Sequence, residues 1–424
     1  MLKHFHSGDF FNNISIKECG DYLTQNGYSW DAISDKQLQD VSYSGGQLVT
    51  GGNNYKVIAV PFSHHMPVET FEKLAELADK GSTILFFKEL PSDVPGLSGL
   101  EKSRKKMETI KDKISFKEVS DQLLTADYGK GKIIMSADIK TLFENSGISP
   151  EKMYTDGLQS IRRVKDDGNY YYFIKNTSKN KFDGWVALNT ELGSAALYDP
   201  MHGTDGYART RISDGKTEIY IQLDSQESII VETFKGKYSG KIYPFYEKNG
   251  QAITLSGKWE VEFIKGGPNL PAKKIVADLG SWTEYGQEYS IFSGTTEYTT
   301  ILPALPEGIN EWLLDLGNVK ESASVYLNGE YIGTMINHPY SIVISDNMFK
   351  GNDELKVRVS NLMANRIADL DKRNVNWRIF YNTNFPARRR DNTGPDGKFS
   401  AAKWNPMASG LLGDVTLTPL KEAE

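Results

Sequence analysis

Between Val359 and Pro386 the sequence VSNLMANRIADLDKRNVNWRIFYNTNFP sets Trp377, Phe380, Tyr381 and Phe385 among six asparagines. Aromatic rings stack on the C–H faces of sugars, and Asn and Arg side chains hydrogen-bond hydroxyl groups. Trp377, Tyr381 and Arg388, with Trp404 further along in AAKWNPMASG, therefore form a candidate carbohydrate-binding set. The competing reading makes the same aromatics plugs of the domain's own core. The run Arg388–Arg389–Arg390 reads as solvated loop that could also meet an acidic sugar.

Other chemistry finds less support. Glycoside hydrolysis usually needs two carboxylates, roughly 5 Å apart for retention or 6.5–9.5 Å for inversion. With 55 Asp and Glu residues, pairs are easy to name and mean little. Glu69 and Glu72 fall on the solvent side of an amphipathic pattern, and Asp369 and Asp371 have Arg366, Lys372 and Arg373 as ready partners. No residue is assigned a catalytic role. No G-x-S-x-G follows a strand pattern, and Cys19 lies in a weakly patterned region. The adjacent His64 and His65 could bind a metal or act as an acid/base pair, but no third ligand stands beside them, so they read as loop packing. The metal question stays open: no cofactor is certain, although the loop DNTGPDG (Asp391–Gly397) could supply oxygens to a structural calcium.

Composition narrows the class further. A net charge of −6 over 424 residues argues against a nucleic-acid partner, which calls for a basic face. One cysteine allows no intrachain disulfide and no cysteine zinc cluster. No run approaches the ~18 apolar residues of a membrane span. The start MLKHFHSGDFFNNISIK lacks the apolar core of a secretory leader, so the chain reads as intracellular or as a piece of something longer, and its compartment stays open.

Three textures must position the candidate residues. From about Asp40 to Gly147, KVIAVPF, STILFFK and GKIIMS alternate with helical patterns such as PVETFEKLAELADKG, which predicts a parallel, doubly wound, flavodoxin-like α/β sheet over 1–150. Its loops, PFSHHMP and KELPSDVPG, carry no glycine-rich phosphate cradle. Residues 151–240 hold short alternating runs (YYYFIKN, SAALYD, TEIYIQL, SIIVETF) and predict a small antiparallel β-sandwich. Residues 241–424 hold about eight more strands, with Asn328–Gly329 as a hairpin signal, and predict a jelly roll. The excursion from Asn361 to Gly410 is then a long crossing between sheets, too aromatic to be disordered.

These stretches carry a resemblance. GYSWDAISDKQL, GGNNYKVIAVP and MPVETFEKLAELADKGSTILFFKELPSDVPGL look like the segment after the catalytic barrel in glycoside hydrolase family 106, which contains α-L-rhamnosidases. WTEYGQEYSIFSGTTEYTT, LDLGNVKESASVYLNGEYIGT, NLMANRIADLDKRNVNW and WNPMASGLLGDVTL are similar to that family's C-terminal sandwich, related to the galactose-binding-like domain of family 2 hydrolases. The resemblance implies the C-terminal portion of such a protein without its N-terminal barrel, and a first domain akin to a non-catalytic glutamine-amidotransferase. It implies an ancillary, carbohydrate-binding role. It also implies a plant-type or rhamnose-containing glycan, or a catalytic barrel domain or chain, as partner, and relatives that usually act in the periplasm or outside the cell. The alternatives are a subunit completed by a separate barrel chain and a structural scaffold without ligand.

Overall fold

The computed structural model describes residues 14–237, 240–377 and 390–423. They form two compact units. One comprises the described residues up to Arg163 with Val186–Glu191 and Ile212–Glu218, and the other comprises Val164–Trp185, Leu192–Arg211 and the described residues from Ile219 onward.

In the first unit the apolar runs become strands because both faces of their sheet are covered. Val57–Val60, Thr83–Phe87 and Gly131–Ser136 pair in parallel, and Ile84 to Phe87 are all buried. The helix Val68–Lys80 presents Phe71, Leu74, Leu77 and Ala78 to this sheet at three- and four-residue spacing. It ends at Gly81, whose φ of 125° suits glycine. A doubly wound parallel sheet was expected; the sheet is mixed. Leu123–Tyr128 and Lys117–Ser120 extend it antiparallel beyond Gly131–Ser136. The reason is local: only Gly129 and Lys130 separate Tyr128 from Gly131, and a connection that short can join only antiparallel neighbours. Gly131 must be glycine, because a Cβ there would lie 2.2 Å from the Ser82 carbonyl oxygen. A three-stranded antiparallel sheet (Ser42–Ser44, Gln47–Val49, Asn54–Tyr55) was not foreseen.

The second unit is all-β apart from short helices. Thr204–Tyr207, Ser194–Asp199, Ser228–Phe234 and Tyr170–Asn176 lie side by side, antiparallel. The tyrosine run splits between faces as alternation demands: Tyr172 is fully buried and Tyr171 exposed. Further along, a six-stranded sheet runs Lys274–Val276, Trp259–Gly267, Ser293–Ile301, Glu354–Ser360, Ser322–Leu327, Glu330–Met335. A five-stranded sheet contains Tyr246–Lys248, Thr416–Glu422, Glu311–Asp315 and Ser341–Ser345, with Ile253–Thr254 alongside Thr416–Glu422. Alternate residues of both sheets enter one core: Trp259, Val261, Tyr298, Val325 and Val357 from the first, Trp312, Leu314, Ile344 and Leu417 from the second. Asn328 (φ 52°) and Gly329 (φ 83°) make the tight hairpin that their dipeptide predicts.

Mixed α-helical and β-sheet architecture in more than one unit is thus observed. Leu314 is fully buried between the two large sheets, so Leu314→Ala removes packing that the rigid sheets cannot close over. We expect a loss of about 2–5 kcal/mol, read as a lower urea midpoint at unchanged slope. A midpoint within error of the parent would mean that this core does not hold the unit together.

Candidate carbohydrate-binding site

The long connection after Ser360 begins by replacing sheet pairing with side-chain hydrogen bonds. Asn361 accepts from the Gly294 N–H (2.9 Å) and donates to the Phe292 carbonyl (3.2 Å) and to Ser409 Oγ (2.9 Å). The helix Ala364–Lys372 follows. Its Asn365, buried, accepts from the Met407 N–H (2.7 Å) and donates to the Met407 carbonyl (2.8 Å), so the far limb of the connection is stitched to the helix. Gly410 closes the excursion against the Trp282 ring and the Tyr298 hydroxyl, a space that a Cβ would fill.

Two carboxylates on this helix have different duties. Asp369 accepts from Arg366 (3.0 Å) and from Arg373 (2.8 Å), the first of these pairs being the one that the three-residue spacing predicts. Asp371, buried, accepts from Trp377 Nε1 (2.7 Å) and from the Ala401 N–H (2.8 Å). Trp404 Nε1 donates to Asn392 Oδ1 (2.8 Å), and the Trp404 ring meets Phe399 edge-on at 5.8 Å. Trp377 and Trp404 thus pack against one small cluster, Ala368, Phe399 and Ala401. Both indoles are half-buried, and Lys372, Arg373 and Lys403 beside them are exposed. Each ring is oriented by its N–H while part of its surface meets solvent. Of the four residues singled out by sequence, the structure brings these two together, and Tyr381 and Arg388 lie outside the described residues.

The second unit holds a further aromatic strip that sequence reasoning missed. Asp183 and Trp185 alternate outward along Phe182–Ala187, as Tyr220 and Gln222 do along Lys216–Leu223. Trp185 and Tyr220 lie 5.4 Å apart, and the Arg211 guanidinium sits 4.6 Å over the Trp185 ring. Tyr220 donates to the Asp183 carboxylate, and Gln222 donates to the same carboxylate (3.2 Å) and to the Tyr220 hydroxyl (2.8 Å). Burial first, and the Asp183 carboxylate second, push the Tyr220 phenol up. The signal was present as alternation from Glu218 to Leu223 (EIYIQL), with Tyr220 on the polar side.

The His64 carbonyl accepts from the Ser92 and Asp93 N–H groups (both 2.9 Å), and the His64 ring meets Phe62 edge-on at 4.7 Å. In the loop Asp391–Gly397, Asp396 accepts from the Lys398 N–H (3.0 Å) and Asn392 accepts from Trp404 Nε1 (2.8 Å). Among the described residues no group of three or more His, Cys, Asp or Glu could hold a metal ion, and no helix is long and apolar enough to cross a membrane.

With this geometry in view, likenesses to known proteins can be placed. A profile of the glycosyl hydrolase 106 family, described as α-L-rhamnosidase, matches residues 13–206. A protein provisionally named a β-glucuronidase, from Formosa agariphila, is 31% identical over 311 residues, covering 66% of this chain and 26% of that relative. The solved rhamnosidase of Novosphingobium sp. PP1Y superposes with a TM-score of 0.66 at 24% identity, covering 92% of this chain and 36% of that one; this is a likeness of fold. The chain spans about a quarter of the curated relative and about a third of the solved one. Homology to glycoside-hydrolase domains supports a carbohydrate-related function. One expectation is corrected. The chain was read as the family's C-terminal portion lacking an N-terminal barrel, yet the profile matches the N-terminal stretch 13–206, and nothing positive indicates a missing barrel.

Cys19 is 5% exposed, and burial first, with Glu18 second, pushes its thiol up to about 11. Two units above its ordinary 9.0 means roughly a hundredfold less thiolate at pH 8. We expect the native protein to react with a disulfide reagent at least about a hundredfold more slowly than the urea-unfolded chain; equal rates would restore a reactive cysteine. Asp371→Ala leaves the buried Ala401 N–H and the Trp377 indole N–H without their carboxylate. A loss of about 1–3 kcal/mol is expected in thermal or urea unfolding. An unchanged transition would show that this carboxylate does not anchor the connection.

Proposed function

We propose that this chain is the ancillary, glycan-binding portion of an α-L-rhamnosidase-like glycoside hydrolase, with Trp377 and Trp404 as its sugar platform. The observation that carries the reading is the pair of half-buried indoles, each oriented by its N–H, on Asp371 and Asn392, beside exposed cationic side chains. A buried indole that only fills space needs no solvent face. A pyranose ring needs a fixed aromatic surface with hydrogen-bonding groups at its edge, and here the Lys372 ammonium lies against the Trp404 main chain. Tyr381 and Arg388 belong to the same proposed set. The description of the matched family, α-L-rhamnosidase, supports a rhamnose-containing glycan as partner, and the plant-type source is part of the proposal.

In this reading the mixed sheet is a flavodoxin-like element of 1–150 with an antiparallel extension. The array within 151–240 is a small β-sandwich, and the two large sheets of 241–424 are a galactose-binding-like jelly roll. The strip of Trp185, Tyr220, Asp183 and Gln222 is a second sugar-contacting face.

Affinity electrophoresis through a gel containing a rhamnose-rich plant polysaccharide tests the proposal. The parent chain is retarded, and Trp404→Ala and Trp377→Ala each weaken retardation about tenfold, the equivalent of about 1.4 kcal/mol. Trp185→Ala reports separately on the second face. An aryl α-L-rhamnoside is not hydrolysed by the purified chain. Retardation unaffected by Trp377→Ala and Trp404→Ala, or aryl release by the chain alone, would overturn the reading.

A further inference from the structure

The turn after Ser194–Asp199 holds a histidine whose two ring nitrogens both face acceptors. His202 Nδ1 lies 2.6 Å from Asp199 Oδ2, and Nε2 lies 3.1 Å from the main-chain carbonyl of Ser341, 139 residues away. A carbonyl oxygen can only accept. The Asp199 carboxylate accepts as well, since its Oδ1 already takes the Met201 (2.9 Å) and His202 (3.2 Å) N–H groups. Neutral imidazole carries one N–H and one lone pair, so it can serve only one of these two oxygens. The arrangement is complete only with the imidazolium.

We propose that His202 is a proton-operated latch that ties the hairpin Ser194–Tyr207 to the start of the strand Ser341–Ser345 and slips from it on losing a proton. On deprotonation the carboxylate retains the Nδ1 proton, because a charge-assisted bond is the stronger of the two. The lone pair then falls on Nε2, opposite the Ser341 carbonyl. The bond that is lost is the long-range one. The hairpin keeps its own register, Asp199 opposite Thr204, but loses this tie to the five-stranded sheet.

The surroundings are arranged for that outcome. Facing His202 are the Asp199 carboxylate, the half-buried Glu227 carboxylate and, from the strand start, the Ser341 carbonyl. The Tyr243 phenol, buried and pushed up by desolvation with Asp199 and Glu227 as lesser causes, adds no charge at neutral pH. The Asp199 hydrogen bond outweighs desolvation and raises His202 above its ordinary 6.5. Glu227 is raised by burial, opposed by the Asp224 N–H bond and by His202, with the charges of Asp224 and Asp199 adding to the rise. Both shifts have one sign. Each group gains a proton more readily in the folded chain, so its contribution is full below the unfolded value and fades as pH rises through the folded one. For His202 that window lies above 6.5.

Hydrogen exchange of the whole chain, corrected for the intrinsic pH dependence, tests this. Protection of amides in 199–207 and 340–345 falls about tenfold between pH 6.5 and pH 9 in the parent. In His202→Gln it starts low and does not change with pH. Parent protection that is flat, or a variant that repeats the parent's pH dependence, overturns the latch. Should the variant not fold, ring-nitrogen NMR of the parent labelled at its six histidines decides instead. One histidine that keeps both nitrogens protonated to a higher pH than the others supports the proposal, and six rings that lose the proton over the same range refute it.

Discussion

A chain that leaves one sheet and returns to another must satisfy its own backbone polar groups without a neighbouring strand, and the connection from Asn361 to Gly410 meets that demand with side chains. Asn361 and Asn365 reach Gly294, Phe292, Met407 and Ser409, and Asp371 gathers the Ala401 N–H and the Trp377 indole. Amides suit this role because each both donates and accepts, as a backbone peptide does. Once the limbs are stitched together, the indoles have fixed positions. For the described part of this irregular stretch, the amides of Asn361 and Asn365 and the Asp371 carboxylate build the frame, and the Trp377 ring is set in it.

That frame also explains why core plug and sugar platform are not exclusive. Trp377 and Trp404 cover Ala368 and Ala401 with one part of their surface and meet solvent with another. An N–H anchor removes the rotational freedom that an exposed indole would lose on binding, so less ordering remains to oppose association. The Trp185–Tyr220 strip is built on the opposite principle. There the sheet is the frame, strand alternation sets the rings, and Asp183 and Gln222 fix the polar edge.

Much of the architecture was legible where periodicity is strong. TILFF read as a buried strand because it is one, and PVETFEKLAELADKG read as a helix from the spacing of Phe71, Leu74 and Ala78. Asn328–Gly329 announced its hairpin because its φ values need those residue types. The mixed order of the first sheet was hidden, since LLTADY and KEVS are short and half polar and pair by a turn rather than by pattern. At the site, residue type pointed to Trp377 and Trp404, but their anchors were invisible because Asn392 and Asp371 meet them only through tertiary folding. His202 and Ser341 were beyond sequence reasoning for the same reason: nothing local marks a contact across 139 positions.

The measurement that bears most directly on the account is hydrogen-exchange mass spectrometry of the full chain with and without a soluble rhamnose-containing oligosaccharide. Slower exchange confined to peptides from 364–377 and 390–407, with the parallel strands Val57–Val60 and Thr83–Phe87 unchanged, is the predicted result. No protection at a saturating concentration, or protection only in the α/β sheet, would contradict the placement of a glycan on the Trp377–Trp404 platform.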